Sequence, residues 1–208
     1  MTPQLGLRVV LYAEGPGETL GGVPCTSAPG SLLTEAMLGP GHILIRRLMK
    51  DRIFPGLELV VKFEAPLKTR KGRVVQGSML RHRQTLRQIV TWPNPKMKPD
   101  IAVILVDQDG DLSREKVLEG YVSDRSSNLV VGVAIREFEA WLLSDHNAVR
   151  RVLHTHFNPL KSVERMSPRE AKALLSNLIG ASKIELEADE IRREITHSCD
   201  LGVLSKEC

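Results

Sequence analysis

The chain has 208 residues, of which 42% are hydrophobic and 26% are charged, with a formal net charge of +4. This composition is ordinary for a globular protein, and the length allows one sizeable core with room for a small appended lobe. No apolar run approaches the roughly 20 residues of a transmembrane helix, and no basic flank leads into an apolar segment at the N-terminus, so we expect a cytoplasmic protein with no membrane partner. Cys25, Cys199 and Cys208 are too widely spaced for a disulfide framework or a zinc site.

Only 4% of the residues are aromatic, so Val, Ile and Leu must fill the core, which favours a parallel sheet covered by helices. The predicted strands are, in chain order, residues 7–13, 57–63, 101–106 and 128–135. Helices are predicted at residues 31–48, with Ser31 as the cap and an interruption at Gly39-Pro40-Gly41, at 79–90, from Asp111 or Ser113 to about Tyr121, and from Glu137 to Leu143.

Strands that alternate with helices imply right-handed crossovers and a mostly parallel sheet. We therefore predict an α/β fold in which residues 1–147 form a mostly parallel sheet flanked by helices. Beyond Asp145 the pattern is helical only, which predicts a helical C-terminal extension over residues 148–208. Within this extension, Ser167-Pro168-Arg169-Glu170 predicts a capping box at the start of a helix.

Acidic residues follow two of the predicted strands. Glu14 ends the first strand, and Asp107, Asp109 and Asp111 follow the third. Because the carboxyl ends of parallel strands meet at one edge of a sheet, we expect Glu14, Asp107 and Asp109 to converge. Clustered carboxylates repel one another, and a divalent cation with oxygen ligands, such as Mg²⁺, stabilises their ionised form.

The glycine-rich loop after the first strand resembles a phosphate loop only loosely. It lacks the Lys-Ser/Thr pair of a Walker loop and the spacing of a dinucleotide fold. Backbone N–H groups near Gly15 and Gly17 can still hold one phosphate group, and we predict these two glycines as a phosphate-binding loop.

Positive charge is concentrated in one stretch of the chain. Residues 46–87 contain twelve Lys and Arg against three acids. This excess predicts binding to the phosphates of nucleic acid, DNA or RNA, and the alternative is a solvated basic face. The residues predicted to bind nucleic acid are Arg70, Lys71, Arg73, Arg81, Arg83 and Arg87.

The segments LYAEGPGE and ILVDQDGD, which include Glu14, Asp107 and Asp109, together resemble the Toprim domain of topoisomerases, primases and overcoming-lysogenization-defect nucleases. VAIREFEAWLLSD, residues 133–145, resembles the bacterial domain-of-unknown-function family numbered 4276, which carries a Toprim-like fold. The resemblance covers residues 7–145.

The resemblance implies Mg²⁺- or Mn²⁺-dependent cleavage of nucleic acid phosphodiester bonds, within bacterial defence and with a partner ATPase. It implies catalytic roles for Glu14, Asp107 and Asp109. The metal ligands that it implies, together with the neighbouring acid Asp111, are Glu14, Glu18, Asp107, Asp109, Asp111, Glu137 and Glu139. Only Lys183 matches the catalytic lysine of the nuclease branch, and it does so by position alone, which favours one metal ion over two.

Two other functions remain open on the sequence. The first is a non-catalytic Toprim-like module that binds nucleic acid or a partner protein and keeps its acids for structural reasons. The second is a small-molecule phosphotransfer enzyme that uses the same Mg²⁺ site.

Overall fold

A computed structural model describes residues 5–15, 18, 19, 26–108, 111, 113–122, 128–134, 138–160 and 163–207. The chain divides into two compact units. Unit 1 comprises residues 1–106 and 113–132, and unit 2 comprises residues 107–112 and 133–208. The boundary expected at residue 147 differs from this division and falls inside a helix, His146–Leu153.

The sheet has four strands in the described part of the chain: β1 (Leu5–Ala13), β2 (Leu59–Glu64), β3 (Ile101–Asp107) and β4 (Leu129–Ala134). Their order is β2-β1-β3-β4 and all run parallel, which confirms the predicted α/β class. β1 pairs with β2 from Leu5↔Leu59 and with β3 up to Ala13↔Leu105. Since β2 and β3 lie on opposite sides of β1, the strand order reverses beside β1, where open parallel sheets bind their ligands.

The helices of the described residues are α1 (Pro40–Leu48), α2 (Arg83–Thr91), α3 (Arg114–Val122), α4 (Phe138–Ser144), α5 (His146–Leu153), α6 (Pro168–Ala181), α7 (Ala188–Ser198) and α8 (Leu201–Glu207). The helical C-terminal part of the chain is as predicted. None of the helices in the described ranges is long and apolar enough to cross a membrane.

The prediction of a helix capped by Ser31 was wrong. The Ser31 hydroxyl donates instead to the carbonyl of Ala28, and α1 begins only at Pro40, after Gly39. The Gly-Pro-Gly segment that suggested an interruption therefore starts the helix, because proline is well tolerated at the first helical position.

The core of unit 1 is centred on the second half of β1, where Val9 to Ala13 are at most 1% exposed. The hydroxyl of Tyr12 accepts a hydrogen bond from the Leu67 N–H at 3.3 Å, and burial raises the pKa of this phenol. The Arg8 guanidinium binds the buried Glu64 carboxylate with two hydrogen bonds, and this bonding raises the pKa of Arg8.

His42 is fully buried in α1 of unit 1, where its Nδ1 atom accepts the Gly39 N–H at 3.2 Å. Burial, assisted by the charge of Arg46, lowers the pKa of this imidazole to about 3. The ring lies edge-on to Phe63, with 4.7 Å between the ring centroids. His42 is therefore a neutral hydrogen-bond acceptor at the start of α1, with a structural role.

Unit 2 is a helical bundle with an apolar core, in which Phe138, Leu142, Leu175 and Ile191 are buried. Asp145 joins two of its helices, since its carboxylate accepts the N–H groups of Asn147 and Ala148 in the first turn of α5 and the N–H of Asp200 just before α8. α6 begins with the predicted capping box. Caps of this kind satisfy the N–H groups that a helix leaves unpaired in its first turn.

Candidate functional site

Glu14, directly after β1 in unit 1, lies between two arginines. Arg81 donates to its Oε1 atom at 2.9 Å and Arg114 to its Oε2 atom at 3.3 Å. Arg114 is only 6% exposed and Glu14 is 22% exposed, so water screens this pair less than a surface ion pair, whereas Arg81 is 49% exposed. The carboxylate of Glu14 is therefore neutralised by the protein itself.

The backbone after Glu14 holds a second carboxylate close by. The Gly15 N–H donates to Oε2 of Glu18 at 2.6 Å, and a Cβ atom at Gly15 would lie 3.0 Å from the other oxygen of Glu18. The Gly15 N–H predicted to hold a phosphate is thus bound to Glu18. Gly17 lies outside the described residues.

The sequence did not indicate the two arginines as partners of Glu14. Arg81 was predicted to face nucleic acid from a helix over residues 79–90, but that segment is a 3₁₀ turn, Gly77–Arg81, followed by α2. Arg114 is the first residue of α3, where a cation is unfavourable because the helix dipole is positive at that end. A cation at a helix start is stabilised by a nearby anion. The position of Arg114 at a predicted helix start was therefore a signal in the sequence that this arginine has an acidic partner.

Asp107 is the last residue of β3 and belongs to unit 2, where it is 6% exposed. Its Oδ1 atom accepts the N–H of Phe138, the first residue of α4, at 3.1 Å. Within unit 2, the N–H of Gln108 also donates to the carbonyl of Ala134, at the end of β4. Together these bonds place Asp107 and Gln108 beside the last residue of β4 and the first residue of α4.

Glu139 directly follows Phe138 in α4, and its Oε2 atom is buried with no hydrogen-bond partner in the part of the chain that the structure describes. The indole Nε1 atom of Trp141, two residues further on, is likewise buried without a partner among these residues. An unpaired buried carboxylate oxygen is costly, and such atoms are uncommon in folded proteins. It marks the start of α4 as a place for a cation or a hydrogen-bond donor from a ligand.

The structure does not place the other predicted metal ligands beside Asp107 or Glu139. Asp109 and Glu137 lie outside the described residues, and Asp111 is exposed. Among the residues that the structure describes, no group of three or more His, Cys, Asp or Glu side chains could hold a metal ion. Lys183 is an exposed residue between α6 and α7. The convergence of Glu14, Asp107 and Asp109 stays a prediction.

The loop between β2 and the 3₁₀ turn Gly77–Arg81, residues 65–76, is called the basic loop of unit 1, and it contains a compact turn. Lys68 and Val74 form an antiparallel bridge, and the Gly72 N–H donates to the Thr69 carbonyl at 2.9 Å. Gly72 adopts a φ of +75°, which favours glycine because it has no Cβ atom. Arg70, Lys71 and Arg73 are therefore exposed on a short loop that the backbone holds in shape.

α2 continues this basic surface. Its buried side carries Leu86 and Ile89, while Arg83 and Arg87 are exposed one helical turn apart. Neither arginine forms an ion pair with the residues that the structure describes. The chain thus keeps these cations available for an external anion, whereas Arg81 and Arg114 are bound to Glu14.

Comparison with protein-family models, with curated proteins and with solved structures finds no match for this chain.

Proposed function

We propose that this protein is a Mg²⁺-dependent nuclease of Toprim-like type that cleaves nucleic acid phosphodiester bonds. One observation carries the proposal: the buried oxygen of Glu139 has no hydrogen-bond partner among the described residues, and the residue before Glu139 binds Asp107. Both residues were predicted as metal ligands. A divalent cation is a partner that would satisfy a buried, ionised carboxylate oxygen of this kind.

The donor set of unit 2 fits Mg²⁺. Asp107 and Glu139 offer carboxylate oxygens, which this ion prefers, and Mg²⁺ commonly uses one or two carboxylates and fills its remaining positions with water. Asp109 and Glu137 are further ligands by sequence. Mn²⁺ accepts the same oxygen donors. A bound ion would polarise the scissile phosphate and lower the pKa of an attacking water.

The proposal also names nucleic acid as the substrate, because unit 1 supplies cations for the phosphate groups of its backbone. Arg70, Arg83 and Arg87 are exposed and make no ion pair with any described residue. Such residues bind phosphates independently of sequence and release counterions on binding. Nucleic acid is therefore the proposed substrate.

Glu14 has a different role in this proposal. Because Arg81 and Arg114 already neutralise its carboxylate, Glu14 is better placed to position these two guanidinium groups than to bind a metal ion. Arginine forks are suited to bind the oxygens of a phosphate. Removal of Glu14 tests this role separately from the acids of unit 2.

The second candidate function is a non-catalytic module that binds nucleic acid or a partner protein. It is favoured by the structural bonds of the acids, since Asp107 binds the start of α4 and Glu14 is paired with arginines. An ATPase partner and a role in bacterial defence belong to the proposal through the resemblance alone, and a cytoplasmic location stays an expectation from the sequence.

The two functions are separated by cleavage and melting measurements on the full chain. Glu139→Gln should reduce Mg²⁺-dependent cleavage of labelled DNA and RNA by about 100-fold or more, because a metal ligand is lost. Mg²⁺ should raise the melting temperature of the unmodified protein but not of this variant.

The matched control is Glu185→Gln, which changes an exposed glutamate of unit 2 and should alter neither measurement. Equal Mg²⁺ shifts in wild type and Glu139→Gln would contradict the proposed ligand. Absence of cleavage and of any Mg²⁺ or Mn²⁺ shift in wild type would instead support the non-catalytic module.

A further inference from the structure

We infer that a cavity in unit 1, between the basic loop and α2, binds one unpaired nucleotide of a single nucleic acid strand. The inference rests on the proposed action on nucleic acid and specifies the form of the substrate. The cavity has a volume of about 500 Å³ and extends from Leu67 in the loop to Pro93 after α2. Sites for small organic ligands typically measure about 300–1,000 Å³, so one nucleotide fits.

One side of the cavity carries basic groups. Lys68, Arg70 and His82 line it, and none of the described lining residues is Asp or Glu. Lys68 donates one hydrogen bond to the Thr26 carbonyl at 3.3 Å, while Arg70 makes no ion pair within the described ranges. A cavity that gathers cations without acids selects an anion, and a phosphate group matches both the charge and the Arg fork.

The remaining lining provides a place for a base. Leu67, Val75, Met79 and Pro93 offer apolar contact surface. Gln84 and Gln88 lie one helical turn apart on α2 and also line the cavity. Each amide offers both a donor and an acceptor, which is the chemistry that reads the edge of a nucleobase. An inorganic anion would use neither the apolar surface nor the amides.

The surroundings favour a strand over a free nucleotide. Arg83 and Arg87 are the immediate helix neighbours of Gln84 and Gln88, and all four residues are exposed. Cations therefore continue beyond the cavity, where the phosphates of flanking nucleotides would lie. A base that enters the cavity cannot be paired at the same time, so the favoured ligand is single-stranded or locally unpaired.

The backbone beside the cavity is strained. Trp92, at the end of α2, has a φ of +49° and is 3% exposed, and the next residue, Pro93, lines the cavity. Positive φ is a genuine outlier for a bulky residue, and such strain is retained mostly at functional sites. Burial of the indole holds the chain in this conformation.

The test measures binding of fluorescent 12-nucleotide single strands to the full-length protein by anisotropy, in EDTA so that no cleavage occurs. Gln84→Ala/Gln88→Ala should weaken single-strand binding about tenfold and leave unchanged the binding of a blunt-ended duplex annealed from two complementary strands, since only an unpaired base reaches the amides. Asn177→Ala, which removes an exposed amide from α6 of unit 2, is the control and should change neither. Circular dichroism establishes that each variant is folded.

Competition distinguishes the sources of the ligand. Excess unlabelled single strand should displace the probe, whereas a nucleoside monophosphate should compete only at much higher concentration and inorganic phosphate least of all. If the Gln84→Ala/Gln88→Ala variant lost duplex binding and single-strand binding equally, the inference would be overturned. Unchanged binding of both ligands would overturn it too. A mononucleotide that binds as tightly as the strand would overturn the assignment to a strand.

These outcomes are independent of the proposed nuclease activity. If the Gln84→Ala/Gln88→Ala variant binds like wild type while Glu139→Gln still abolishes cleavage, the cavity assignment fails and the nuclease proposal stands. If the Gln84→Ala/Gln88→Ala variant loses single-strand binding and no metal-dependent cleavage is found, the cavity assignment stands and the nuclease proposal fails.

Discussion

The two units satisfy their buried acids in opposite ways. In unit 1, Glu14 is held by Arg81 and Arg114, and Glu64 by Arg8. In unit 2, a backbone N–H donates to Asp107, and one oxygen of Glu139 has no hydrogen-bond partner among the residues that the structure describes. A carboxylate paired with a guanidinium already has its counter-charge, while one without a cation can take a metal ion or a proton. Under the proposed function, metal binding therefore belongs to unit 2 and phosphate contacts belong to unit 1.

The largest expected effect separates the acids of the two units. Asp107→Asn should lower metal-dependent cleavage by about 1,000-fold and remove the Mg²⁺-induced rise in melting temperature, because a charged ligand is lost. Glu14→Gln should keep most of that rise, since its carboxylate is neutralised by arginines. Differential scanning fluorimetry with and without Mg²⁺ measures both. Loss of the shift in Glu14→Gln would show that Glu14 is itself a ligand.

The next effect concerns how much the bonds between Glu14 and its two arginines, Arg81 and Arg114, contribute to the free energy of unfolding. Arg114→Met should reduce the free energy of unfolding by about 1.5 kcal/mol, because a charge-assisted hydrogen bond of a largely buried arginine is lost while Glu14 keeps its bond to Arg81. Adding Glu14→Gln to this variant should restore part of the loss, and chemical denaturation of the two single variants and the double variant measures the coupling. Additive losses would mean that Arg114 stabilises α3 by its packing and not through Glu14.

The sequence predicted the sheet well because its strands are continuous runs of Val, Ile and Leu bounded by turn residues. All four strands lie within two residues of their predicted limits, and Glu14 and Asp107 stand at strand ends as expected. The helix over residues 31–48 was predicted less well. There the Gly-Pro-Gly segment was interpreted as a break, whereas proline in the first turn allows it to be a start.

The partners of the acids could not be predicted from local pattern. Arg81 and Arg114 are 67 and 100 residues from Glu14, so only the folded chain brings them together. The same holds for the cavity, whose lining combines a loop, a 3₁₀ turn and α2. The composition of residues 46–87 predicted an excess of positive charge. It did not show which arginines would pair with acids of the chain and which would be exposed.

A smaller effect follows from His42 in unit 1, whose burial lowers its pKa to about 3. Between about pH 6.5 and pH 3 the unfolded chain binds a proton at this residue and the folded chain does not, so stability falls as the pH falls, by up to about 1.4 kcal/mol per pH unit. His42→Gln should make the pH dependence of unfolding shallower by one proton over this range. Urea denaturation between pH 6 and pH 4 measures it, and equal slopes in both proteins would contradict the buried neutral imidazole.

The smallest expected effect tests whether the exposed cations of unit 1 differ from those of unit 2. Arg83→Gln/Arg87→Gln should weaken binding of single strands and reduce the slope of log affinity against log salt by about 1.4, since each lost phosphate contact removes about 0.7. Both arginines are exposed without an ion pair among the described residues, so their replacement should cost little stability. Arg169→Gln, an exposed arginine of α6 in unit 2, is the control and should leave the slope unchanged. If the α2 variant keeps the wild-type slope, its arginines form only a solvated face. If Arg169→Gln lowers the slope as much per residue, binding is spread over both units and the division of roles between them is wrong.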